Sequence, residues 1–447
     1  MSYRSVPEFT TRRESMLYSG QVFPAGPMDQ QYATPNATTP DAADERTRLR
    51  DHEISRRLRI AVVAACPFPA ARGTPIRIQR IAEQLGRRGH EVDVFTYHLG
   101  AMADDAPFRV HRIANVPTYR KQTPGPSFQK VLVLDPLLAV KLAGALRRKR
   151  YDVVHAHHAE GLLAAAVARL LREVPLVFDV HTLLHSELPY YRMGLPRPVL
   201  RRVGGFLDRF LPRCADQIIA VSEDIRSYLI EHCASVTGRI TLIPNGVEEM
   251  FCQATRRDTS GCTHSGPTVI YAGTLASYQR IDLLLQAFAI SLQQRPDLWL
   301  HIYTQSSFDP YERLAKALRV RERVCLRSVS LQDLPGNLAA ADVAVNPRIE
   351  CAGMPQKLGN YMAAGCAIVT FAGSAKHIAD GETGLVIENG NVSAFANAIL
   401  RMIVDRAHAQ RLGARARAFA RAELSWPRVA ERIEKVYQRA VEGAAGR

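Results

Sequence analysis

The sequence predicts an α/β protein made of two doubly wound domains joined by a linker. Three observations predict it. From residue 59 onward, short continuous apolar runs alternate with stretches of helical spacing, the pattern of strands buried on both faces of a parallel sheet. That alternation lapses once, over 251–267 (FCQATRRDTSGCTHSGP), into polar and turn residues. The 447 residues, 47% apolar and 23% charged, suffice for two soluble domains that each bury a core.

Residues 1–57 are rich in Pro, Thr, Gln, Asp and Arg without periodicity, and read as a disordered N-terminal tail. The first domain spans 58–250. It opens with the strand 60–65 (IAVVAA), followed by 75–89, where Ile78, Ile81, Ala82 and Leu85 keep helical spacing up to Gly89. The strand 90–97 completes a βαβ unit. Strands at 153–157, 176–180, 217–221 and 240–244 continue the series. After the linker 251–267, a second domain, 268–424, has strands at 269–273, 298–303, 324–329, 343–347, 367–371 and 384–388. Helices at 406–422 and 425–444 end the chain, the last with Val429, Ile433, Val436, Tyr437 and Ala440 on one stripe. In such sheets ligands bind beyond the carboxyl ends of the strands, so the loops after strands are the places to search.

Charge and composition exclude several classes. The longest apolar stretch, 161–171, is broken by Arg169 and is too short to span a bilayer. No apolar run follows a basic start, so neither a transmembrane nor an exported protein is expected. The net charge of +15 favours an anionic partner. Ten basic residues against Asp135 alone fall within 109–150, although a solvated helix end accounts for any single one. Eight cysteines are scattered without CxxC or metal-ligand spacing, as expected of reduced thiols in a cytoplasmic protein. No GxGxxG, P-loop, zinc-finger or helix-turn-helix signature is present, so nicotinamide, ATPase and nucleic-acid readings lack support. His155 and His157 share a strand face, but no carboxylate or cysteine joins them at ligand spacing. A structural or substrate-facing role is the better reading, and no metal is expected.

The loops between these elements carry a resemblance. The segment RIAVVAACPFPAARGTPIRIQRIAEQLGRRGHEVDVFT resembles the start of the family-4 glycosyltransferases. DVVHAH, PLVFDVH, ADQIIAVSE, IPNGV, YAGTLASYQRIDLLLQAF, ADVAVNP, MPQKLGNYMAAGCAIV, DGETGLVIE and LSWPRVAERIEKVY follow in the family's order. The resemblance runs from about 58 to 440. It implies a GT-B fold, with the final helix, 425–447, crossing back to the first domain. It also implies a retaining glycosyltransferase that moves a sugar from a nucleotide-sugar donor to a glycan or lipid-linked acceptor, needing no cofactor and no bound metal. Polysaccharide or glycoconjugate assembly at the inner membrane face, with 109–150 and 197–213 touching anionic lipid, is the expected setting. A catalytically silent GT-B protein that binds a nucleotide sugar or a partner enzyme is the second reading.

Breaking a glycosyl–phosphate bond develops negative charge on the leaving diphosphate, which cations and N–H groups at helix N-termini must meet. Gly73 and Thr74, just before a helix, are built for this, with an ordinary βα turn as the alternative. His181 matches the family's histidine near the donor sugar, with a packed strand-end histidine as the alternative. Glu187 faces the acceptor or caps the next turn. Where the family carries Arg and then Lys after the glycine of the second domain's first strand, here Gly273, this chain has Thr274 and Gln279, with Arg280 one place later. The family's paired glutamates would fall at Ala352 and Asn360, and Glu350 lies two residues upstream of the first. Gly353 and Leu358 flank Lys357, which some branches of the family also carry. Lys357 is the first choice for the cation that replaces those missing, and Arg280 the second. Asn360 can hold ribose hydroxyls, and Glu350 can face the donor sugar.

Overall fold

The computed structural model describes residues 56–446, apart from 71–72, 101–104, 122–128, 191–194, 258–260, 263, 352 and 354. The expected tail therefore lies almost wholly outside the described residues, as do Ala71, Arg72 and Ala352. Seven strands form the first sheet: β1 (Arg59–Ala64), β2 (Glu91–Thr96), β3 (Arg109–Arg112), β4 (Val153–His157), β5 (Leu176–Val180), β6 (Gln217–Ala220) and β7 (Ile240–Leu242). Their order is β3-β2-β1-β4-β5-β6-β7. Six form the second: β8 (Thr268–Ala272), β9 (Trp299–Tyr303), β10 (Val324–Arg327), β11 (Val343–Asn346), β12 (Ile368–Phe371) and β13 (Leu385–Ile387), ordered β10-β9-β8-β11-β12-β13. Every pairing is parallel.

Strand order reverses beside β1 in one sheet and beside β8 in the other, and such switch points open a crevice at the strands' carboxyl ends. β3 was not expected. Its sequence, RVHR, is half exposed at the sheet edge, so it lacks the continuous apolar run by which the other strands are read.

The C-terminal helix Trp426–Ala445 returns to the first domain. Its stripe of Trp426, Val429, Ile433, Val436 and Tyr437 shares one core with Ile60, Val62 and Ile78. Two further contacts fix the crossing. Glu434 accepts two hydrogen bonds from Arg88, both at 2.6 Å, and a Cβ on Gly246 would fall 2.3 Å from the Trp426 ring. Only glycine lets that loop and the helix meet.

One expectation about the cysteines is corrected. Cys262 and Cys325, 63 residues apart, are joined by a disulfide, because the segment before β8 runs along the edge strand β10. The other six are free.

Candidate active site

The first domain supplies a wall of buried polar side chains at the ends of β4 and β5. The register pairs His157 with Asp179, which places the carboxylate 3.6 Å from His155 Nε2 and 3.5 Å from His157 Nδ1. Strand pairing thus joins a carboxylate to the two histidines, which sequence spacing did not show. The carboxylate is already engaged, however. Arg77, 1% exposed, donates to Asp179 from Nε at 2.9 Å and from Nη2 at 3.4 Å. Its remaining N–H groups reach the carbonyls of Ile243 and Pro244 and the side chain of Asn245. Burial pushes the Asp179 carboxyl up, but Arg77 with the histidines holds it well below the usual range.

His181 follows β5 directly and is 9% exposed. Its Nε2 lies 3.0 Å from His157 Nδ1, and its ring lies 4.8 Å from that of His158. Burial, against the pull of Asp179, lowers its pKa well below that of an ordinary histidine. The imidazole is neutral at pH 7. It lines a cavity of about 340 Å³ together with Gly73, Thr74, Glu160, Thr182 and Glu187. Gly73 and Thr74, expected just before a helix, are instead the first two residues of the helix Gly73–Arg87. Thr182 donates to Glu187 at 2.5 Å, so Glu187 closes the preceding turn and still faces the cavity.

The second domain offers a cavity of about 350 Å³ beyond β8 and β9, lined by Gly273, Thr274, Tyr303, Lys357 and Asn360. Gly273 has φ +148°, a value that L side chains rarely adopt, and a Cβ there would crowd the Tyr271 hydroxyl and the Lys357 ammonium. Lys357 lies in the first turn of the helix Gln356–Ala364, after Pro355. Its Nζ donates to the Tyr271 hydroxyl at 2.9 Å and to Gln279 Oε1 at 2.7 Å, and sits 4.2 Å from the centre of the Tyr271 ring. Gln279, 7% exposed, is therefore a partner of the lysine. Burial, with repulsion from Arg348, lowers the Lys357 ammonium to about 7. No carboxylate neutralises it among the described residues, so the side chain is divided between amine and ammonium near pH 7, and an anion placed beside it would hold it charged.

Other expected residues are placed differently. Arg280, at φ +56°, is held by Asp282 at 2.9 Å, so its charge is already partnered and it is the weaker candidate. Leu358 does not face the cavity; it is fully buried, packed with Ile270, Tyr361 and Met362, because its helix turns that face to the core. Glu350 lies on a wide cleft of about 1460 Å³ between the two sheets, with Thr182, Glu187, Tyr278, Arg280 and Arg348. Gly353 lies against the first domain: a Cβ there would lie 3.7 Å from the His181 carbonyl oxygen. His181 and the donor-side loop thus meet.

Sequence reasoning missed Arg77 and Asp179 as the supports of His181, and Tyr271 as the seat of Lys357. An aspartate inside the apolar run LVFDV was the available signal. It also missed that Arg197, Arg201, Arg202 and Arg209, on the helix Arg197–Phe210, line the cleft.

Two Rossmann-like domains with polar groups converging across a cleft define a GT-B transferase architecture. A model for Glycosyltransferase Family 4 matches residues 71–250, and one for Glycosyl transferases group 1 matches 266–405. The chain belongs to the family-4, group 1 glycosyltransferases, and it is a transferase. A D-inositol 3-phosphate glycosyltransferase of Geodermatophilus obscurus is 28% identical over 405 residues, covering 84% of this chain and 86% of that relative. One of Mycobacterium marinum is 28% identical, with 90% of each chain covered. Among solved structures, the fold is similar to sucrose-phosphate synthase from Thermosynechococcus elongatus (TM-score 0.71, 20% identity, 87% of this chain and 100% of that one). It is also similar to HepE of Anabaena in complex with UDP (TM-score 0.66, 19% identity, 85% and 100%).

Proposed function

We propose that the chain transfers a sugar, with retention, from a nucleotide-sugar donor to an anionic glycan or lipid-linked acceptor, as a step in polysaccharide or glycoconjugate synthesis. One observation carries this reading: the buried Lys357 side chain beyond the carboxyl end of β8, with no carboxylate partner among the described residues. The diphosphate lies against Lys357 and the free N–H groups of the helix Gln356–Ala364, which meet the charge that develops as the glycosyl–phosphate bond breaks. Asn360 holds ribose hydroxyls, Gly273 and Thr274 admit the diphosphate, and Glu350 and His181 flank the sugar. The arginines of the helix Arg197–Phe210 make the acceptor side of the cleft cationic. The UDP in the HepE structure and the inositol phosphate in the relatives' names agree with a nucleotide donor and an anionic acceptor.

Lys357 gives the test. Lys357→Ala is expected to weaken nucleoside diphosphate binding by about 1.5–3 kcal/mol, the range for hydrogen bonds to charged groups, and Arg280→Ala by less. The pH sign follows from the lysine's pKa near 7. A bound anion favours the charged form, so above pH 7 binding takes up a proton, and affinity falls by up to about tenfold per pH unit. Titration calorimetry between pH 6 and 9 checks this. A parent with flat affinity, or variants that bind like it, places the diphosphate elsewhere. Hydrolysis of the donor by purified protein separates an active transferase from a silent binder.

Peripheral membrane docking belongs to the same proposal. Val131, Leu132 and Val140 are exposed, as are Leu163, Val167 and Leu170, and the helices Asp135–Arg148 and His158–Arg169, which carry Val140, Leu163 and Val167, pack together. Arg147, Arg148 and Arg150 are exposed beside them. Lys149 is not part of the surface charge, since it is bound to Glu91 and Asp93. At about 1 kcal/mol per cation, reversing the three arginines is expected to weaken sedimentation with anionic vesicles by about two orders of magnitude. Equal binding to neutral vesicles removes the idea.

A further inference from the structure

The segment before β8 and the edge of the second sheet bring four metal-ligand side chains together. Cys262 and His264 precede β8, His301 lies on β9 and Cys325 on the edge strand β10. The parallel register sets Cys325 beside His301. The donor atoms of Cys262, His301 and Cys325 all lie within 4.8 Å of one another. His264 extends the set, with its Nε2 2.7 Å from Nε2 of His301 and its ring stacked on Trp299 at 4.6 Å. Two sulfurs and two imidazoles make the donor set of a structural zinc site.

The hydrogen bonds behind His301 orient it as a ligand. Asn337 donates from Nδ2 to the Asp333 carbonyl at 2.8 Å, which turns its Oδ1 toward Tyr303. The Tyr303 hydroxyl donates to that oxygen at 3.3 Å. With its one hydrogen used, the hydroxyl accepts from His301 Nδ1–H at 3.2 Å. His301 Nε2 therefore carries a lone pair aimed into the cluster, held by the outer-shell arrangement that ligating histidines use. Nδ1 of His264 is buried with no hydrogen-bond partner among the described residues. A disulfide alone requires neither histidine.

We propose that, when the Cys262–Cys325 disulfide is reduced, Cys262, His264, His301 and Cys325 hold one divalent cation of the zinc class and clamp the linker to the β10 edge. Reduction by a phosphine is balanced. The S–S bond breaks, each sulfur gains an electron and a proton, and the phosphine takes the oxygen of one water to become its oxide. The two thiols then lose their protons as the cation binds. Tyr303 also lines the donor cavity, so the metal sits one side chain behind the site.

The test uses the full chain, reduced with a phosphine, freed of metal and titrated with cobalt(II). One equivalent is expected to bind with thiolate-to-cobalt charge transfer and the visible bands of a tetrahedral ion, and zinc is expected to displace it. Cys262→Ser and Cys325→Ser should each remove at least half of the charge-transfer intensity, and His264→Ala the tetrahedral signature. Cys214→Ser, an exposed cysteine of the first domain, should change nothing. Tyr303→Phe should weaken zinc by about 10–100-fold. A measurement on the parent chain needs no variant: zinc should shield Cys262 and Cys325, but not Cys214, from alkylation. A reduced parent without a stoichiometric cobalt spectrum overturns the site, as does alkylation of Cys262 and Cys325 at the same rate with and without zinc. Neither readout depends on transferase activity.

Discussion

Arg77→Met is expected to destabilise the protein by about 3–5 kcal/mol, the effect of removing one partner from a buried ion pair. All of the guanidinium's N–H groups are used, on Asp179, Ile243, Pro244 and Asn245. Losing them strands a fully buried carboxylate and two carbonyls in the crevice where the helix Gly73–Arg87 meets the ends of β5 and β7. The pH dependence has a definite sign. In the parent, the Asp179 pKa lies well below 3.8, so the pair's stabilisation is complete above that value and is lost only as pH falls through the lower, folded-state one. In the variant, burial raises the Asp179 pKa, or a neighbouring histidine takes up the proton. Either way, the folded variant holds an extra proton near neutrality, and its deficit shrinks as pH falls toward 4. Thermal melts of parent and variant at pH 5 and pH 8 measure this. A deficit under about 1 kcal/mol, or one larger at pH 5, means that the network does not bear on stability as described.

Most of the fold was legible because buried parallel strands leave a strong signal. Runs such as IAVVAA and LVFDV are short, rich in β-branched residues and bounded by turn residues, which marks strands buried on both faces, and the helices between them keep their apolar stripes. β3 escaped because an edge strand with two arginines and a histidine need not be apolar. The site was legible only in part. Gly273 and His181 follow strands directly and Lys357 opens the helix after one, where ligand chemistry is expected, and the family's motifs flag them. What holds them is nonlocal. Tyr271 is 86 residues from Lys357, and Arg77 is 102 from Asp179. Leu358 was misread because one helix carries both cavity-facing and core-facing residues, and only packing shows which is which. The disulfide partners, 63 residues apart, likewise became visible only once the register of β9 and β10 was known.

His181→Ala is expected to lower turnover by about 10²–10³-fold, the loss seen when one preorganised hydrogen-bond partner of a transition state is removed. Donor affinity should change by no more than a few-fold. The split follows from where the side chain stands. On the proposed reading, diphosphate affinity rests on Lys357 across the cleft, whereas His181 lines the other cavity, beside the sugar, where charge develops only as the bond breaks. Its Nε2 is taken by His157, and among the described residues no other side chain hydrogen-bonds to the ring, which leaves Nδ1 for the substrate. Because burial keeps the imidazole neutral, its protonation contributes no acid limb near pH 6.5, and the parent's turnover should be flat through that region on this residue's account. The stability cost is modest, about 1–3 kcal/mol for leaving His157 Nδ1 without its partner, so a folded variant can be assayed. Steady-state kinetics with a separate measurement of donor binding gives both numbers. Unchanged turnover in a folded His181→Ala protein, or a loss confined to donor affinity, assigns the histidine to packing or ground-state binding and moves the catalytic role to another group on the cleft wall.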